Sequence, residues 1–231
     1  MRERRGRVRA ITEAGSRAVI VELEAVDPPD LTWRAGQFVS LRVDAAGQRR
    51  SFSVVSAPRD SASALELLIG SFGGGATANY IGALTVGDAV DFFGPMGYFT
   101  FDDQHRGDVL FGATGIGISA VLPMLAKAAT KSQRRVGLHW SVRARADAVL
   151  LDRVDAIAGI DLALYVTGAG SGRLTEPLMA AALAATDPLV YLCGNPHMVD
   201  DVHSGLAAAG FDVHNRVITE VFYAPSSPLQ L

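Results

Sequence analysis

At 231 residues and 49% hydrophobic content, the chain is long enough for one large domain or two small ones, each with a real core. A formal net charge of −3 argues against nucleic acid as the main partner. A single cysteine excludes a disulfide framework and an intramolecular four-cysteine iron–sulfur site, so any one-electron carrier has to be a separate protein.

The basic start, Met1 to Arg9, lacks the apolar core and cleavage site of a targeting signal and runs into a strand-like pattern. The most extended apolar stretch, Ile116 to Ala126, falls far short of the roughly 20 residues that a membrane span requires. The expectation is a cytoplasmic protein with no membrane span. From Arg7 the chain reads as short strands: Arg7 to Ile11, Ala18 to Leu23, Phe38 to Val43, Ser51 to Val55, Leu65 to Ile69 and Ala89 to Phe93. Several alternate with period two and are bounded by turn residues such as Asp27-Pro28-Pro29 and Gly94-Pro95. One helix, Thr77 to Leu84, interrupts them. Six short strands with little helix predict a closed antiparallel barrel.

From Gly107 the period changes. Strands are expected at Asp108 to Phe111, Val136 to Val142, Leu162 to Val166, Leu189 to Cys193 and Val217 to Phe222. Helices alternate with them at Ile118 to Ala129, Leu150 to Ile157, Glu176 to Ala185 and His197 to Ala209. That alternation predicts a five-stranded parallel sheet with helices on both faces. The polar run Asp102 to Gly107 marks the boundary, giving a barrel over residues 1–104 and an α/β domain with a C-terminal tail over 105–231.

Two glycine-and-serine motifs carry the chemistry. Arg50-Ser51-Phe52-Ser53 places a cation, a flat ring and hydroxyl donors on one strand, the set a flavin nucleotide needs for its phosphates, its ring and ring N5. A pleat puts Arg50 and Phe52 on one face and Ser53 on the other, so a bent strand end or bulge has to gather all three. The same residues also read as an ordinary edge strand with a solvated arginine. Downstream, Gly73-Gly74-Gly75-Ala76-Thr77 precedes the barrel's helix, where glycine backbone and a helix N-terminus suit a phosphate. A flexible hairpin loop is the alternative.

Gly112-Ala113-Thr114-Gly115-Ile116-Gly117 joins a strand to a helix and departs from the G-x-G-x-x-G spacing. It reads as a phosphate loop or as a packing-driven turn. Cys193-Gly194-Asn195-Pro196 ends the fourth strand of the α/β half and opens a helix, the end at which open α/β sheets bind ligands. Buried cysteine is also common as inert packing. Arg143 and Arg145 follow the second strand of that half, where a 2′-phosphate would favour NADPH, and nearby Asp147 leaves NADH open. No metal site is expected.

Taken in order, Arg50-Ser51-Phe52-Ser53, Gly74-Gly75-Ala76-Thr77-Ala78-Asn79-Tyr80-Ile81, Leu84-Thr85-Val86-Gly87-Asp88 and Gly94-Pro95-Met96-Gly97-Tyr98-Phe99 resemble the ferredoxin–NADP reductase family. The similarity runs from Trp33-Arg34-Ala35-Gly36-Gln37-Phe38 to Glu220-Val221-Phe222. It implies a flavin-binding barrel followed by a nicotinamide-nucleotide domain, with FAD favoured over FMN and NAD(P)H as substrate. By the same resemblance, Gly112, Thr114, Gly115 and Ile116 would hold the pyrophosphate, and Cys193, Gly194, Asn195 and Pro196 would lie near the nicotinamide. Arg173, in Gly172-Arg173-Leu174-Thr175, would help hold the nucleotide. Phe222 would cover the flavin ring, and Glu220 would sit near Ser53 and Cys193; Ser53 would position the ring near N5, and Cys193 would position the nicotinamide rather than act as a nucleophile.

Two departures stand out. The family usually carries tyrosine at Phe52, and the missing hydroxyl removes a bond worth on the order of 1 kcal/mol. Flavin reductases of the superfamily show the same phenylalanine. The chain also continues for nine residues past Phe222. The resemblance implies an NAD(P)H-dependent flavoprotein reductase serving a separate ferredoxin, flavodoxin or oxygenase component. The alternatives are a reductase of free flavin and a non-catalytic electron-transfer subunit.

Overall fold

The computed structural model describes residues 3–15, 18–58, 63–70, 76–130 and 134–222. The first half is a six-stranded antiparallel sheet in the order β4-β3-β6-β1-β2-β5. Its strands are β1 (Arg4–Glu13), β2 (Ala18–Asp27), β3 (Phe38–Arg42), β4 (Arg49–Ser53), β5 (Ala64–Gly70) and β6 (Ala89–Met96). The edge strands meet through an antiparallel bridge between Val54 and Leu67 and a hydrogen bond from Val55 N to Glu66 O at 2.8 Å, which closes the sheet into a barrel. Alternation drives the closure. Arg5, Arg7 and Arg9 of β1 are exposed while Val8 is buried with Val21, Leu23, Val39, Leu41, Leu65, Leu67 and Phe92. Helix α1 (Ala76–Ala83) lies between β5 and β6.

The second half is a five-stranded parallel sheet in the order β11-β10-β7-β8-β9. In chain order it runs β7 (Val109–Thr114), α2 (Ile118–Ala129), β8 (Val136–Val142), α3 (Leu151–Asp155), β9 (Asp161–Val166), α4 (Thr175–Ala184), β10 (Leu189–Gly194), α5 (Pro196–Ala208), α6 (Val213–Arg216) and β11 (Val217–Val221). The core of α2 and α3 fills one face, and that of α4 and α5 the other. The central strands β7 and β10 are buried almost throughout, which explains their unbroken apolar runs. Among the described residues no helix is long and apolar enough to cross a membrane.

Several boundaries move from their expected places, each for a physical reason. β4 starts at Arg49 rather than Ser51, because charged residues still pair with Arg42 and Leu41 of β3, and it ends at Ser53. β6 continues through Gly94-Pro95 to Met96, with Gly94 at φ +108° absorbing the irregularity. α3 is shorter than the apolar pattern suggests, and α6, a single turn capped by Asp212, carries no periodicity to read.

The two halves share one core. Ala14, Ala18, Ala35, Val55, Leu68, Phe99 and Phe101 from the barrel side pack with the α2 and β7 side chains. Tyr191 of β10 centres this contact. Its ring stacks on Phe111 at 5.3 Å, meets Phe99 edge-on at 5.8 Å, and its hydroxyl accepts from Asp102 N at 3.0 Å. At this interface strand ends of the two sheets meet, Ser53 of β4 lying beside Glu220 of β11.

Candidate functional site

Ser53 is the last residue of β4, pairs with Phe38 of β3, and is 3% exposed. The pleat puts Ser51 and Ser53 on one side and Arg50 and Phe52 on the other, with the Phe52 ring against the barrel core. Across the interface, Cys193 of β10 sits in register with Glu220 of β11. Ser53 Oγ donates to Glu220 Oε1 at 3.5 Å, a long bond that joins the two halves. Residues 167 positions apart in the chain thus meet.

Burial sets the electrostatics. Desolvation pushes the Glu220 carboxyl up to about 7, with the Ser53 hydroxyl acting in the opposite direction. Cys193 is fully buried, and burial together with the Glu220 charge raises its thiol well above the ordinary range. A protonated, buried thiol is a poor nucleophile. The trio can therefore pack, donate hydrogen bonds and hold a proton.

The strand ends beside it form a connected rim. Asn195 N donates to Thr114 Oγ1 at 2.7 Å, tying the β10–α5 turn to the β7–α2 turn. Asn195 Oδ1 accepts from His197 N at 2.8 Å, capping α5, and Pro196 takes the first helical turn. Phe222 N donates to Gly194 O at 2.8 Å, which brings half-buried Phe222 alongside.

The glycines of the β7–α2 motif divide by role. A Cβ on Gly112 would lie 2.6 Å from Leu178 Cδ2, and one on Gly117 would lie 2.5 Å from Cys193 O. Both positions admit close packing of helix and strand. Gly115, by contrast, has nothing within 4 Å of a would-be Cβ, leaving an open place for a phosphate at the turn. Ile116, half-buried, packs against the core behind the turn. Trp140 supports that turn from β8, donating through Nε1 to Gly115 O at 3.0 Å. Nothing in the sequence singles out Trp140 or the Thr114–Asn195 tie, because both depend on neighbours across the sheet.

The arginines separate as well. Arg49 is occupied: it pairs with Glu3, donates to Ser40 O at 3.1 Å and lies 4.2 Å over the Phe93 ring. Arg50, half-buried, donates among the described residues to the neighbouring Arg49 O at 2.9 Å and forms no ion pair with any of them, which leaves its charge suited to an anion. Arg143, Arg145 and Arg173 are exposed on loops after β8 and β9. Gly168 N donates to Arg143 O at 2.9 Å and Thr167 Oγ1 to Val142 O at 3.2 Å, which fastens the two loops together. Asp147 is held in its own turn, accepting from Ala144 N at 3.0 Å. Gly74 and Gly75 lie outside the described residues, as does the segment after Phe222; Ala76 and Thr77 begin α1.

A closed antiparallel barrel joined to a parallel α/β sheet is the two-domain fold of ferredoxin–NADP reductases, and here a serine and a glutamate meet between the two sheets. Residues 8–101 match the model of the oxidoreductase FAD-binding domain family. The chain is 28% identical over 223 residues to the propane 2-monooxygenase reductase component of Mycolicibacterium goodii, covering 89% of this chain and 62% of that protein. It is 29% identical over 198 residues to ferredoxin–NADP reductase B of Sorangium cellulosum, covering 78% and 81%. The structure superposes on the ferredoxin–NADP+ reductase of Neisseria gonorrhoeae, solved with FAD and NADP, with a TM-score of 0.80, 20% identity and coverage of 96% and 100%. Residues 8–101 thus carry an oxidoreductase FAD-binding domain, and the whole chain is similar in sequence and fold to ferredoxin–NADP reductase-like flavoproteins. It spans 61–64% of the length of the propane 2-monooxygenase reductase components of Mycolicibacterium goodii, Mycolicibacterium smegmatis and Rhodococcus jostii.

Proposed function

We propose that the chain is an NAD(P)H-dependent flavoprotein reductase that passes electrons through bound FAD to a separate ferredoxin, flavodoxin or oxygenase component in the cytoplasm. The reading divides the chain into a flavin domain over residues 1–104 and a nicotinamide-nucleotide domain over 105–231. The observation that carries it is the Ser53–Glu220–Cys193 cluster, assembled from both sheets at the strand ends beside the open Gly115 turn. Support for an acceptor of this kind comes from relatives that are reductase or electron-transfer components of oxygenases.

The residues fit the two cofactors. Among the described residues the Arg50 guanidinium meets no carboxylate, and Gly115 leaves open backbone at a strand–helix turn. Arg50, Ser51, Phe52 and Ser53, with Gly74, Gly75, Ala76 and Thr77, would hold FAD. Gly112, Thr114, Gly115, Ile116, Gly194, Asn195 and Pro196 would shape the dinucleotide site, Gly112 by packing, and Arg143, Arg145 and Arg173 would face its adenosine end. Bound FAD supplies the conversion of a two-electron donor into one-electron transfers. The protein aligns the reactants and excludes water. Ser53 fixes the reactive edge with its hydroxyl. Glu220 holds a proton through much of the neutral range and can exchange it at Ser53 Oγ. Cys193 fills the floor of the site, and Phe222 covers it.

Arg50→Ala should release much of the flavin while leaving the fold intact, since a charge-assisted bond to phosphate is worth roughly 1.5–3 kcal/mol. Flavin content after gel filtration measures this, and unchanged content would remove Arg50 from the site. Phe52, which lacks a ribityl-bonding hydroxyl, favours a second reading in which free flavin is a substrate. A protein purified without flavin, yet reducing added flavin with NAD(P)H, would establish it.

A modest preference for NADPH is expected, carried by Arg143 and Arg145. Neutralising both should raise the Michaelis constant for NADPH several-fold and spare NADH, because an exposed guanidinium–phosphate contact contributes about 1 kcal/mol. A wild type that prefers NADH would make these arginines solvated bystanders.

A further inference from the structure

We propose that the Glu66–Arg153 ion pair is a latch that sets the angular register of the barrel against the α/β domain, and through it the approach of Ser53 to Glu220. The proposal rests on the reductase reading above. Arg153 Nη1 donates to Glu66 Oε2 at 2.7 Å and Nη2 to Oε1 at 3.1 Å, a two-pronged guanidinium–carboxylate pair. Among the described residues it is the ion pair that joins a barrel strand to a helix of the other domain.

Its position gives it leverage. Glu66 lies on β5, and its carbonyl accepts from Val55 N at 2.8 Å while its own N–H donates to Ser56 Oγ at 3.0 Å. Both partners, Val55 and Ser56, lie within three residues of Ser53 in the chain. The carboxylate of Glu66 therefore grips the α/β domain while its backbone grips the segment that carries Ser53. On the other side, Arg153 projects from α3, and neighbouring Val154 is fully buried in the core shared with β8. A shift at either end of the pair is passed to a rigid element.

The rest of the interface resists separation more than rotation. It is built largely of apolar side chains, Val55 and Leu68 meeting α2 and its neighbours, and apolar burial has no preferred direction. The polar ties Asp102–Tyr191 and Asp103–Lys127 sit at the interdomain linker, where a pivot would lie. Away from that pivot the long Ser53–Glu220 bond is a weak directional restraint, and the bidentate fork adds a strong one. Glu66 and Arg153 are positioning residues: they act through the Ser53–Glu220 approach.

The test uses the full chain with Arg153→Gln, Glu66→Gln and the charge swap Glu66→Arg with Arg153→Glu. Two readouts are taken. Rapid mixing of FAD-loaded protein with NADPH or NADH gives the limiting rate of flavin reduction and the nicotinamide dissociation constant. Trypsin cleavage after Arg106 in the exposed linker, followed by mass spectrometry on flavin-free protein, reports interdomain opening without any cofactor.

Each neutral variant should lower the limiting rate roughly three- to tenfold, leave the dissociation constant within about twofold, and speed cleavage after Arg106 by a similar factor. The charge swap should restore both quantities toward wild type. Because the pair is partly exposed, high ionic strength should slow the wild type and leave the neutral variants unmoved. Wild-type rates and wild-type cleavage in both neutral variants would overturn the latch. If the wild-type protein accepts no electrons from NAD(P)H, the reductase reading falls instead, and the cleavage arm still decides the latch.

Discussion

Glu220→Gln should abolish a fall in stability that the wild type shows between pH 5 and pH 8. Burial raises the Glu220 carboxyl from 4.5 to about 7. Below pH 4.5 the group is protonated both folded and unfolded, and it contributes no pH dependence. Between 4.5 and 7 the folded protein binds the extra proton, so each rise in pH favours unfolding. Above pH 7 both forms are ionised, and the folded state carries the full cost of a desolvated carboxylate. The full interval corresponds to about 3 kcal/mol, and less where water reaches the group.

Glutamine keeps the shape and cannot ionise. Its stability curve should therefore lack this component and lie above wild type at pH 8. Urea unfolding of flavin-free protein at pH 5 and pH 8 measures the difference without cofactor binding shifting the equilibrium. Parallel pH dependence in the two proteins would mean that Glu220 is solvated and not part of a buried cluster. The same substitution should flatten any inflection near pH 7 in the rate of flavin reduction, since the proton at Ser53 Oγ would have no titrating partner.

Gly194→Ala should be among the most damaging single-methyl changes in the chain. Gly194 adopts φ +129°, and a Cβ there would run into Thr114 Oγ1 and come within 2.8 Å of Thr114 O. Strain of about 1–3 kcal/mol from the backbone adds to a similar overpacking cost. The Thr114–Asn195 bond that ties the two turns would also be lost. A total loss of roughly 3–5 kcal/mol follows if these costs combine.

Gly115→Ala provides the contrast. At φ +52° with open space around it, alanine should cost only about 1 kcal/mol while its methyl obstructs a phosphate. Unfolding and nicotinamide titration should therefore separate the pair: Gly194→Ala mainly loses stability, and Gly115→Ala mainly loses binding. Equal stability losses would mean that the turn at Gly115 is as packed as its neighbours.

Much of the architecture is legible in the amino-acid pattern alone. Val136–Val142 and Ile118–Ala129 have the bounds that periodicity suggests, because a buried parallel strand and an amphipathic helix leave unmistakable local patterns. The strand–turn–helix context of Gly112 to Gly117 is equally plain. Its division of labour is not. Whether a glycine serves a ligand or a neighbouring leucine depends on what packs over it, and Leu178 and Leu192 lie on other elements. The same holds for Arg49 and Arg50, adjacent and alike in sequence. Among the described residues Glu3 and Phe93 engage the first while no carboxylate pairs with the second, through contacts a linear reading does not contain.

By itself, then, the sequence determined the two halves, their strand and helix periods and the order of the motifs, since each is encoded within a turn or two of chain. It named Ser53, Cys193 and Glu220 only through resemblance. Tertiary structure decided their meeting: β4 ends at Ser53, β11 lies in parallel register beside β10, and a shared core presses the two sheets together. It also decided their chemistry. The raised carboxyl of Glu220 and the protonated thiol of Cys193 come from water excluded by residues distant in the chain, and desolvation is a property of the packed assembly rather than of any segment.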